Sequence, residues 1–427
     1  MKRVMFYCQH VLGMGHLVRS TAIVRALARN FSVLLVIGGK ITRDFRFPAN
    51  IELLQLPPLQ TDPDFAGLQV CDSSLGLEET KELRCRQLLG AFDKFQPDAL
   101  VTELFPFGRK QFSFELLPLL ERSHNRAAKP LIISSIRDIL VTKKDQAKHE
   151  QRVCRILNSF YDLVLVHGDA NFQRLEETFT RVADLRCAVE YTGYVVQPKM
   201  AATAEALELK PSGRPAIVVS NGSGGCPGGQ LLLESVLRAA PLLESSLPHE
   251  FHVFAGPLMP EGIYERLKGL TEPLRNVNLS RYTVDLPGCL RRAELSISMA
   301  GYNTVMDILS TGVRALVFPE TANDDQEQSL RARKLAKLGV LGVLDQDHLM
   351  PEGLARKIQE GLRGKPSPLV LNVSGAENTS LVLERHLAAR NTGILQSEGV
   401  PSFSDQSWRA PHRRETSGTP ERSSICE

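Results

Sequence analysis

Residues 216–225 read AIVVSNGSGG, an apolar run of four residues that leads through Ser220 into a glycine-rich loop. A short, β-branched run of this kind predicts a buried strand, and the apolar periodicity at 229–243 predicts the helix after the loop. Strand, glycine-rich loop and helix in this order are typical of parallel α/β sheets, whose ligands bind at the carboxyl ends of the strands. Successive backbone N–H groups in such a loop form an anion-binding nest, so residues 220–225 are a candidate anion site. The loop lacks the G-K-[ST] ending of a P-loop, which disfavours a P-loop ATPase.

Strand and helix patterns alternate on both sides of this stretch. Strands are predicted at 4–8, 32–37, 51–56, 99–102, 131–134, 163–166, 251–254, 277–279, 295–298 and 315–318. Helices are predicted at 16–29, 76–94, 110–122, 143–159, 169–182, 284–293, 303–311 and 324–338. We therefore predict an α/β protein with two Rossmann-like domains. The predicted parts are a first domain at 1–198, a linker at 199–215, a second domain with a closing helix at 216–392 and a disordered tail at 393–427.

Composition excludes several classes of protein. The 427 residues include 51 Lys and Arg against 48 Asp and Glu, so no surplus of positive charge is available to bind nucleic acid. The eight cysteines form no C-x-x-C pair, which argues against a zinc ribbon and is typical of reduced thiols in the cytoplasm. No apolar run is long enough to span a membrane.

A second glycine motif follows the first predicted strand, where residues 13–19 read GMGHLVR. Gly13 and Gly15 allow a tight turn, and His16 then begins a helix at the ligand-binding edge of the sheet. A neutral imidazole there can accept a proton near pH 7. The motif is not the dinucleotide fingerprint G-x-G-x-x-G, because position 18 is Val. A plain glycine turn with a capping histidine is the alternative.

Two further motifs lie in the second half of the chain. Residues 299–307 read MAGYNTVMD, which predicts a strand, a turn and a helix with Asn303 or Thr304 as N-cap. Asp307 is then one turn into the helix, placed either to accept ribose hydroxyls or only to offset the helix dipole. Residues 318–328 read FPETANDDQEQ, a polar loop that either contacts sugar hydroxyls or is a solvated helix start.

In this order the four motifs resemble glycosyltransferases of the GT-B fold, and most closely family 28, which includes the peptidoglycan N-acetylglucosaminyltransferase. The resemblance covers roughly residues 1–390 and is best at 216–345. It implies two Rossmann-like domains that face each other across a cleft, with the acceptor on the first and the nucleotide sugar on the second. Asp307 replaces the usual Glu, and Glu327 replaces a Gln. The implied donor ligands are Ser220, Asn221, Gly222, Ser223, Gly224, Gly225, Gly301, Asn303 and Thr304 for the diphosphate, Asp307 for the ribose, and Asp325 and Gln328 for the sugar.

The G-x-G-H-x-x-R form of the first loop is more similar to nucleotide-sugar hydrolases of pseudaminic acid synthesis and to several predicted glycosyltransferases. Residues 101–109 and 134–138 are also similar to segments of those predicted enzymes. Charged residues at these strand ends are candidates for acceptor binding, with structural salt bridges as an equal alternative. The implied acceptor-side residues are Gly13, Gly15, Arg19, Glu103, Arg109, Arg137 and Asp138.

The resemblance predicts a cytoplasmic hexosyltransferase that moves a sugar from a nucleoside-diphosphate donor to an unknown acceptor. His16 is the predicted general base, and inversion follows from direct displacement. Fixed N–H dipoles stabilise the leaving diphosphate, so no metal and no cofactor other than the donor substrate are predicted. A nucleotide-sugar hydrolase and a non-catalytic nucleotide-sugar-binding protein are the alternatives. No nucleic acid and no transmembrane segment are predicted, and peripheral membrane contact and oligomeric state stay open.

Overall fold

The computed structural model describes residues 1–11, 14–41, 45–61, 67–71, 75–197, 213–283, 285–320, 326–365, 367 and 371–391. Most of the predicted linker and all of the predicted tail lie outside these residues. Within the described ranges, no helix is long and apolar enough to cross a membrane.

The first half of the chain forms a seven-stranded sheet in which every neighbouring pair of strands is parallel. Its strands are β1 (Arg3–Cys8), β2 (Ser32–Ile37), β3 (Glu52–Gln55), β6 (Ala99–Glu103), β7 (Leu131–Arg137), β8 (Leu163–His167) and β9 (Ala188–Tyr191). An antiparallel pair, β4 (Leu59–Thr61) and β5 (Leu68–Val70), is separate from this sheet. The helices are α1 (Gly15–Leu27), α2 (Leu77–Phe95), α3 (Ser113–His124) and α4 (Gln146–Phe160).

The second half forms a six-stranded parallel sheet. Its strands are β10 (Ala216–Ser220), β11 (Glu250–Phe254), β12 (Val277–Ser280), β13 (Ala293–Met299), β14 (Arg314–Phe318) and β15 (Gly342–Val343). The helices are α5 (Pro227–Leu243), α6 (Glu261–Thr271), α7 (Leu286–Arg292), α8 (Tyr302–Thr311), α9 (Glu327–Lys337), α10 (Pro351–Arg363) and α11 (Gly375–Asn391). The predicted α/β class is confirmed.

In each sheet the order of the strands reverses at one pair of neighbouring strands, and the sequence motifs lie at these two points. The orders are β3-β2-β1-β6-β7-β8-β9 and β12-β11-β10-β13-β14-β15, so the switch points lie between β1 and β6 and between β10 and β13. Ligands of doubly wound sheets bind at such points, beyond the carboxyl ends of the strands. The helix after β1 carries His16 in its first turn and β6 ends at Glu103, whereas the loops after β10 and β13 carry the two glycine motifs of the second half.

Burial on both faces explains why the central strands are apolar runs rather than alternating ones. Side chains of β1 alternate between two cores, with Val4 and Phe6 in one and Met5 and Tyr7 in the other. Each of these four side chains is fully buried.

The prediction of a helix at 169–182 is wrong. The segment holds two short 3₁₀ turns, at Leu175–Glu177 and Val182–Asp184. Leu175 and Phe179 are buried at a helical spacing, which explains the prediction. The Glu150 carboxylate accepts hydrogen bonds from the backbone N–H and the hydroxyl of Thr180 and holds the segment to α4 instead.

The closing helix α11 packs against α1 rather than against the second sheet. Leu383 and Leu387 join the core of the first domain, and the carboxylate of Glu190 in β9 pairs with Arg385 and with His386 at 2.7 Å. The chain therefore returns to its first domain after completing the second, and residues 375–391 pack with the first domain. The other domain boundaries stay predictions.

A buried ion cluster joins the two domains. The Arg331 guanidinium of α9 donates to Asp138 at 2.7 Å, just after β7, and to Glu327 at 2.8 Å. Arg331 and Asp138 are fully buried. Glu327 also pairs with Arg137 at 2.7 Å, so two carboxylates and two guanidinium groups neutralise one another across the domain boundary.

Arg331→Ala is expected to destabilise the protein by about 3–5 kcal/mol, because it leaves the Asp138 charge buried without its partner. Arg333 is exposed on the same helix, so Arg333→Ala is the matched control and should change stability by less than about 0.5 kcal/mol. Denaturant unfolding of both variants measures the difference. Equal stability of the two would show that the cluster does not hold the domains together.

Candidate functional site

The side chain of His16 meets a buried carboxylate at the switch point of the first sheet. The Nδ1 atom of His16 lies 2.6 Å from Oε1 of Glu103, the last residue of β6. Glu103 is fully buried, whereas His16 keeps about 20% of its side chain exposed. A carboxylate that accepts from Nδ1–H fixes the tautomer whose Nε2 carries the lone pair. This is the geometry of an oriented general base.

The charge state of the pair suits that role. Burial lowers the pKa of His16 well below its usual range; the Glu103 carboxylate opposes this shift and Arg109 adds to it. Burial alone would raise the pKa of Glu103, but the interaction with His16, which includes a hydrogen bond, and the charges of Arg19 and Arg109 outweigh burial and hold this pKa below its ordinary value. At neutral pH the imidazole is therefore uncharged and the carboxylate ionised.

Arg19 supports the carboxylate from beneath. It lies one turn further along α1 than His16, is 2% exposed and donates to the same Glu103 oxygen that contacts His16. Its guanidinium carbon lies 5.5 Å from the ring centroid of Tyr302, the first residue of α8. The hydroxyl of Tyr302 donates to the carbonyl of His167 at 3.2 Å. Arg19 thus joins the base to the second domain instead of facing open solvent.

The loop after β10 has a conformation that glycine alone tolerates. Gly222 and Gly224 have positive φ angles of 62° and 88°. A Cβ atom on Gly224 would lie 2.8 Å from the carbonyl oxygen of Ala255 and 2.9 Å from the backbone nitrogen of Met259. Asn221 anchors the loop, because its Nδ2 donates to the same Ala255 carbonyl at 3.2 Å. The loop is therefore shaped by close backbone contact.

The two helices that begin at this edge differ in their first turns. The N–H of Gly228 in α5 donates to Oε2 of Glu320 at 3.0 Å, so a carboxylate of the chain already occupies that helix start. Within the described residues, α8 has no acidic residue in its first turn and no side chain that caps it. Its N-cap is Gly301, and the prediction of Asn303 or Thr304 as N-cap is wrong. Gly301 ends the turn that follows β13. Its backbone is extended, so the position requires a small residue but no positive φ angle.

Instead of capping α8, the side chains of Asn303 and Thr304 lie next to the two glycine-rich loops. The amide of Asn303 donates from Nδ2 to the carbonyl of Gly15 at 3.2 Å and so bridges the two domains beside His16. The hydroxyl of Thr304 lies 3.8 Å from the point where a Cβ atom of Gly222 would stand. The first turn of α8 is thus next to both glycine loops.

Asp307 lies one turn further along α8 and is 2% exposed. Burial raises its pKa to about 8, with Asp285 adding to the shift and Arg291 opposing it. Val18 and Val195 line the same small recess as its side chain. The carboxyl is therefore neutral below about pH 8 in this state, and its contact with a ribose stays a prediction.

The remaining predicted site residues fall into separate groups. Gln328 accepts a hydrogen bond at 3.1 Å from the backbone N–H of Glu320, so its amide supports the preceding loop. Arg137 and Asp138 belong to the domain-joining cluster. Gly13 and Asp325 lie outside the described residues.

Arg109 follows a tight turn in which the N–H of Gly108 donates to the carbonyl of Leu104 at 2.8 Å. Leu104 and Arg109 both have left-handed backbone, with φ angles of 65° and 57°. Non-glycine residues adopt this region at a cost, and such strain is concentrated at functional sites. The turn directs the Arg109 charge toward His16 and Glu103, whose pKa values it lowers.

Sequence reasoning missed Tyr302 and Arg331 as site residues. Two guanidinium groups lie over the ring of Tyr302, with Arg331 at 5.1 Å and Arg19 at 5.5 Å from its centroid. Tyr302 lies within the motif at 299–307. Its partners come from α1 and α9, and no local pattern in the sequence indicates them. Among the described residues, no group of three or more His, Cys, Asp or Glu side chains is arranged to hold a metal ion.

Comparison with known proteins supports this description. Residues 216–372 match the glycosyltransferase family 28 C-terminal domain. The chain is 27% identical over 198 residues to the UDP-N-acetylglucosamine--N-acetylmuramyl-(pentapeptide) pyrophosphoryl-undecaprenol N-acetylglucosamine transferase of Methylobacterium sp. (strain 4-46), a match that covers 45% of this chain and 51% of that protein. The chain thus spans about half the length of the curated relatives it matches.

Two solved structures share the whole fold at low identity. Phytolacca americana UGT2, complexed with UDP-2fluoro-glucose and pterostilbene, gives a TM-score of 0.58 at 16% identity and covers 93% of this chain and 96% of its own. The calicheamicin glycosyltransferase CalG4 gives 0.55 at 14% identity over 92% and 96% of the two chains. Both show that the two domains here are arranged as in GT-B proteins, as predicted.

The contribution of Asp307 to the stability of the protein is expected to fall as the pH rises from about 4 to about 8. The buried carboxyl of Asp307 keeps its proton to about pH 8, whereas in the unfolded chain it ionises near pH 4, so unfolding releases a proton between these limits. Asp307→Asn removes this proton release. Between pH 5 and pH 8, thermal unfolding should therefore show a more favourable change in stability for the variant than for the wild type, and identical changes would mean that Asp307 is ionised in the folded protein.

Proposed function

We propose, on the premise that this chain has the GT-B fold and a family 28 C-terminal domain, that it is a glycosyltransferase. It transfers a sugar from a nucleoside-diphosphate donor to a hydroxyl of an acceptor. One observation carries the proposal. The oriented base His16, at the switch point of the first sheet, lies beside the first turn of α8, at the switch point of the second, and the hydrogen bond from Asn303 to Gly15 joins them.

The donor diphosphate binds at α8 in this mechanism. An anion is stabilised by the N–H groups and the dipole of a helix start, and the start of α5 already holds the Glu320 carboxylate. The first turn of α8 and the loop at 222–225 are adjacent and carry no acidic side chain. As the bond between the anomeric carbon and the diphosphate breaks, negative charge grows on the leaving oxygen, and these fixed dipoles stabilise it.

The acceptor is activated on the opposite side. Nε2 of His16 takes the proton of the acceptor hydroxyl while the oxygen attacks the anomeric carbon, and Glu103 stabilises the imidazolium that forms. Attack opposite the leaving diphosphate gives inversion. Because backbone dipoles stabilise the leaving group, the proposal includes no metal ion, and activity should persist in a chelator. Hydrolysis of the donor by water is the alternative outcome, and product analysis separates the two.

His16→Ala should lower turnover by about 10²–10⁴-fold, because the acceptor or water proton then has no base. Donor affinity should change little, since His16 contacts the attacking group. Glu103→Gln should give a smaller but clear loss by weakening the orientation of the imidazole. Steady-state kinetics with each nucleotide sugar that the protein binds, together with donor titrations, measure both quantities.

Matched controls keep this test clear. Arg155 is exposed on α4, and Arg155→Gln should leave turnover and donor affinity unchanged. Full turnover in His16→Ala would remove the histidine from the mechanism. Donor binding without any turnover in the wild type, over a broad acceptor panel, would instead indicate a binding protein.

Asp307→Ala should weaken nucleoside-diphosphate binding by about 1.5–3 kcal/mol, if the carboxylate accepts ribose hydroxyls through charge-assisted hydrogen bonds. Asp307→Asn keeps the size of the side chain and should weaken binding less. Calorimetric titration at pH 7 and pH 9 adds a second readout, because a carboxyl that ionises on binding releases a proton only at the lower pH. Equal affinities of wild type and Asp307→Ala would exclude the ribose contact.

A further inference from the structure

The site between the two sheets contains one guanidinium group more than its carboxylates neutralise. Four arginines and three carboxylates approach one another there. Among the described residues, the buried pairs are Arg19 with Glu103, Arg137 with Glu327 and Arg331 with Asp138. Arg109 is the fourth arginine and makes no ion pair with a described residue.

Two donor atoms of Arg109 are buried without a partner. Both Nε and Nη2 are shielded from water, and no described residue accepts a hydrogen bond from them. Oε2 of Glu103 is likewise buried and unpaired, which shows that the two groups do not satisfy each other. A buried donor without a partner costs about 1–3 kcal/mol, and more when it is charged. Backbone strain of this kind is concentrated at functional sites, so the unpaired donors of this left-handed residue are a candidate ligand contact.

The position of Arg109 identifies which ligand that is. Arg109 follows the turn at the end of β6, the strand that pairs with β1, so it lies at the switch point of the first sheet. Its charge accordingly acts on His16, Glu103 and Cys8. The donor loops belong to the second sheet, and the acceptor hydroxyl must approach Nε2 of His16. The planar guanidinium fork matches carboxylate and phosphate groups through two parallel hydrogen bonds.

We propose that the acceptor carries an anionic group, a carboxylate or a phosphate, which Arg109 binds close to the hydroxyl that is glycosylated. The inference rests on the proposed function, since it assumes that the first-sheet site holds an acceptor. Binding of the anion supplies the partner that Nε and Nη2 lack and neutralises the surplus charge. A neutral acceptor would leave both donors buried and unsatisfied, so the site discriminates against it.

The stability of an Arg109 variant separates a binding role from a structural one. Because no described residue bonds to Nε or Nη2, Arg109→Gln removes a buried unpaired charge and should unfold at the same temperature as the wild type or above it. Arg331→Ala, which breaks a paired cation, provides the contrasting case. A fall in melting temperature of Arg109→Gln like that of Arg331→Ala would overturn the inference.

The binding test uses inorganic phosphate and acetate as separate probes on the full chain. Arginine Nε–Hε NMR resonances are followed during each titration, and the Arg109 signal is assigned by its absence in Arg109→Lys. The wild-type Arg109 signal should shift with at least one probe, and affinity for that probe should fall about tenfold or more in Arg109→Gln. Arg155→Gln, which removes one exposed charge, should bind the probe as the wild type does.

The probes also distinguish the ligand class. A response to phosphate alone assigns a phosphorylated acceptor, and a response to acetate alone assigns a carboxylate. Phosphate that binds only at the donor loop would leave affinity unchanged in Arg109→Gln, and that result would overturn the inference. If Arg109-dependent anion binding is found but no nucleotide sugar is bound or turned over, the proposed glycosyl transfer fails while the anion site stands.

Discussion

The buried carboxylate of Glu103 is the group on which the arrangement of the site depends. A fully buried charge is costly unless it is paired, and α1 supplies both partners of this carboxylate, His16 and Arg19, one turn apart on the same face. Satisfying the carboxylate therefore fixes the rotation of α1 above the sheet. That rotation in turn sets where the imidazole stands, so an electrostatic requirement of the fold produces the orientation that proton transfer needs.

The boundary between the two domains also depends on the pairing of buried charges. Asp138 and Glu327 come from different domains. They are neutralised by Arg331 and Arg137, so each domain alone would leave unpaired charges at this face. The charge of Glu327 is balanced by these two guanidinium groups. The boundary thus combines paired charges with apolar packing, because Tyr194 and Phe172 of the first domain pack in the same cluster as Leu335 of the second. The strength of the ion pairs depends on exclusion of water from them.

Local patterns in the sequence predicted most strands of the two sheets and the glycine loops, because burial and backbone sterics leave local marks, whereas the edge strands β9 and β15 were not predicted. The run at 216–220 and the glycines at 222 and 224 are examples. Contacts between distant segments left no such local marks in the sequence. The spacing of Leu175 and Phe179 mimicked a helix, since the hydrogen bonds from Thr180 to Glu150 join segments thirty residues apart. The contacts of Tyr302 with Arg19 and Arg331 bring together three elements, and no single motif contains them.

In the proposed mechanism, Tyr302 also keeps the base and the leaving group in register. It is the first residue of α8, so its position determines where the N–H groups that are proposed to bind the diphosphate lie. Its ring rests against Arg19, which holds the carboxylate that orients His16, and its hydroxyl is fixed by the carbonyl of His167 in β8. The leaving group and the base are therefore positioned through one side chain. A shift of α8 that displaced the diphosphate would also move the support of Glu103, so a productive base and a bound donor arise from the same closed arrangement.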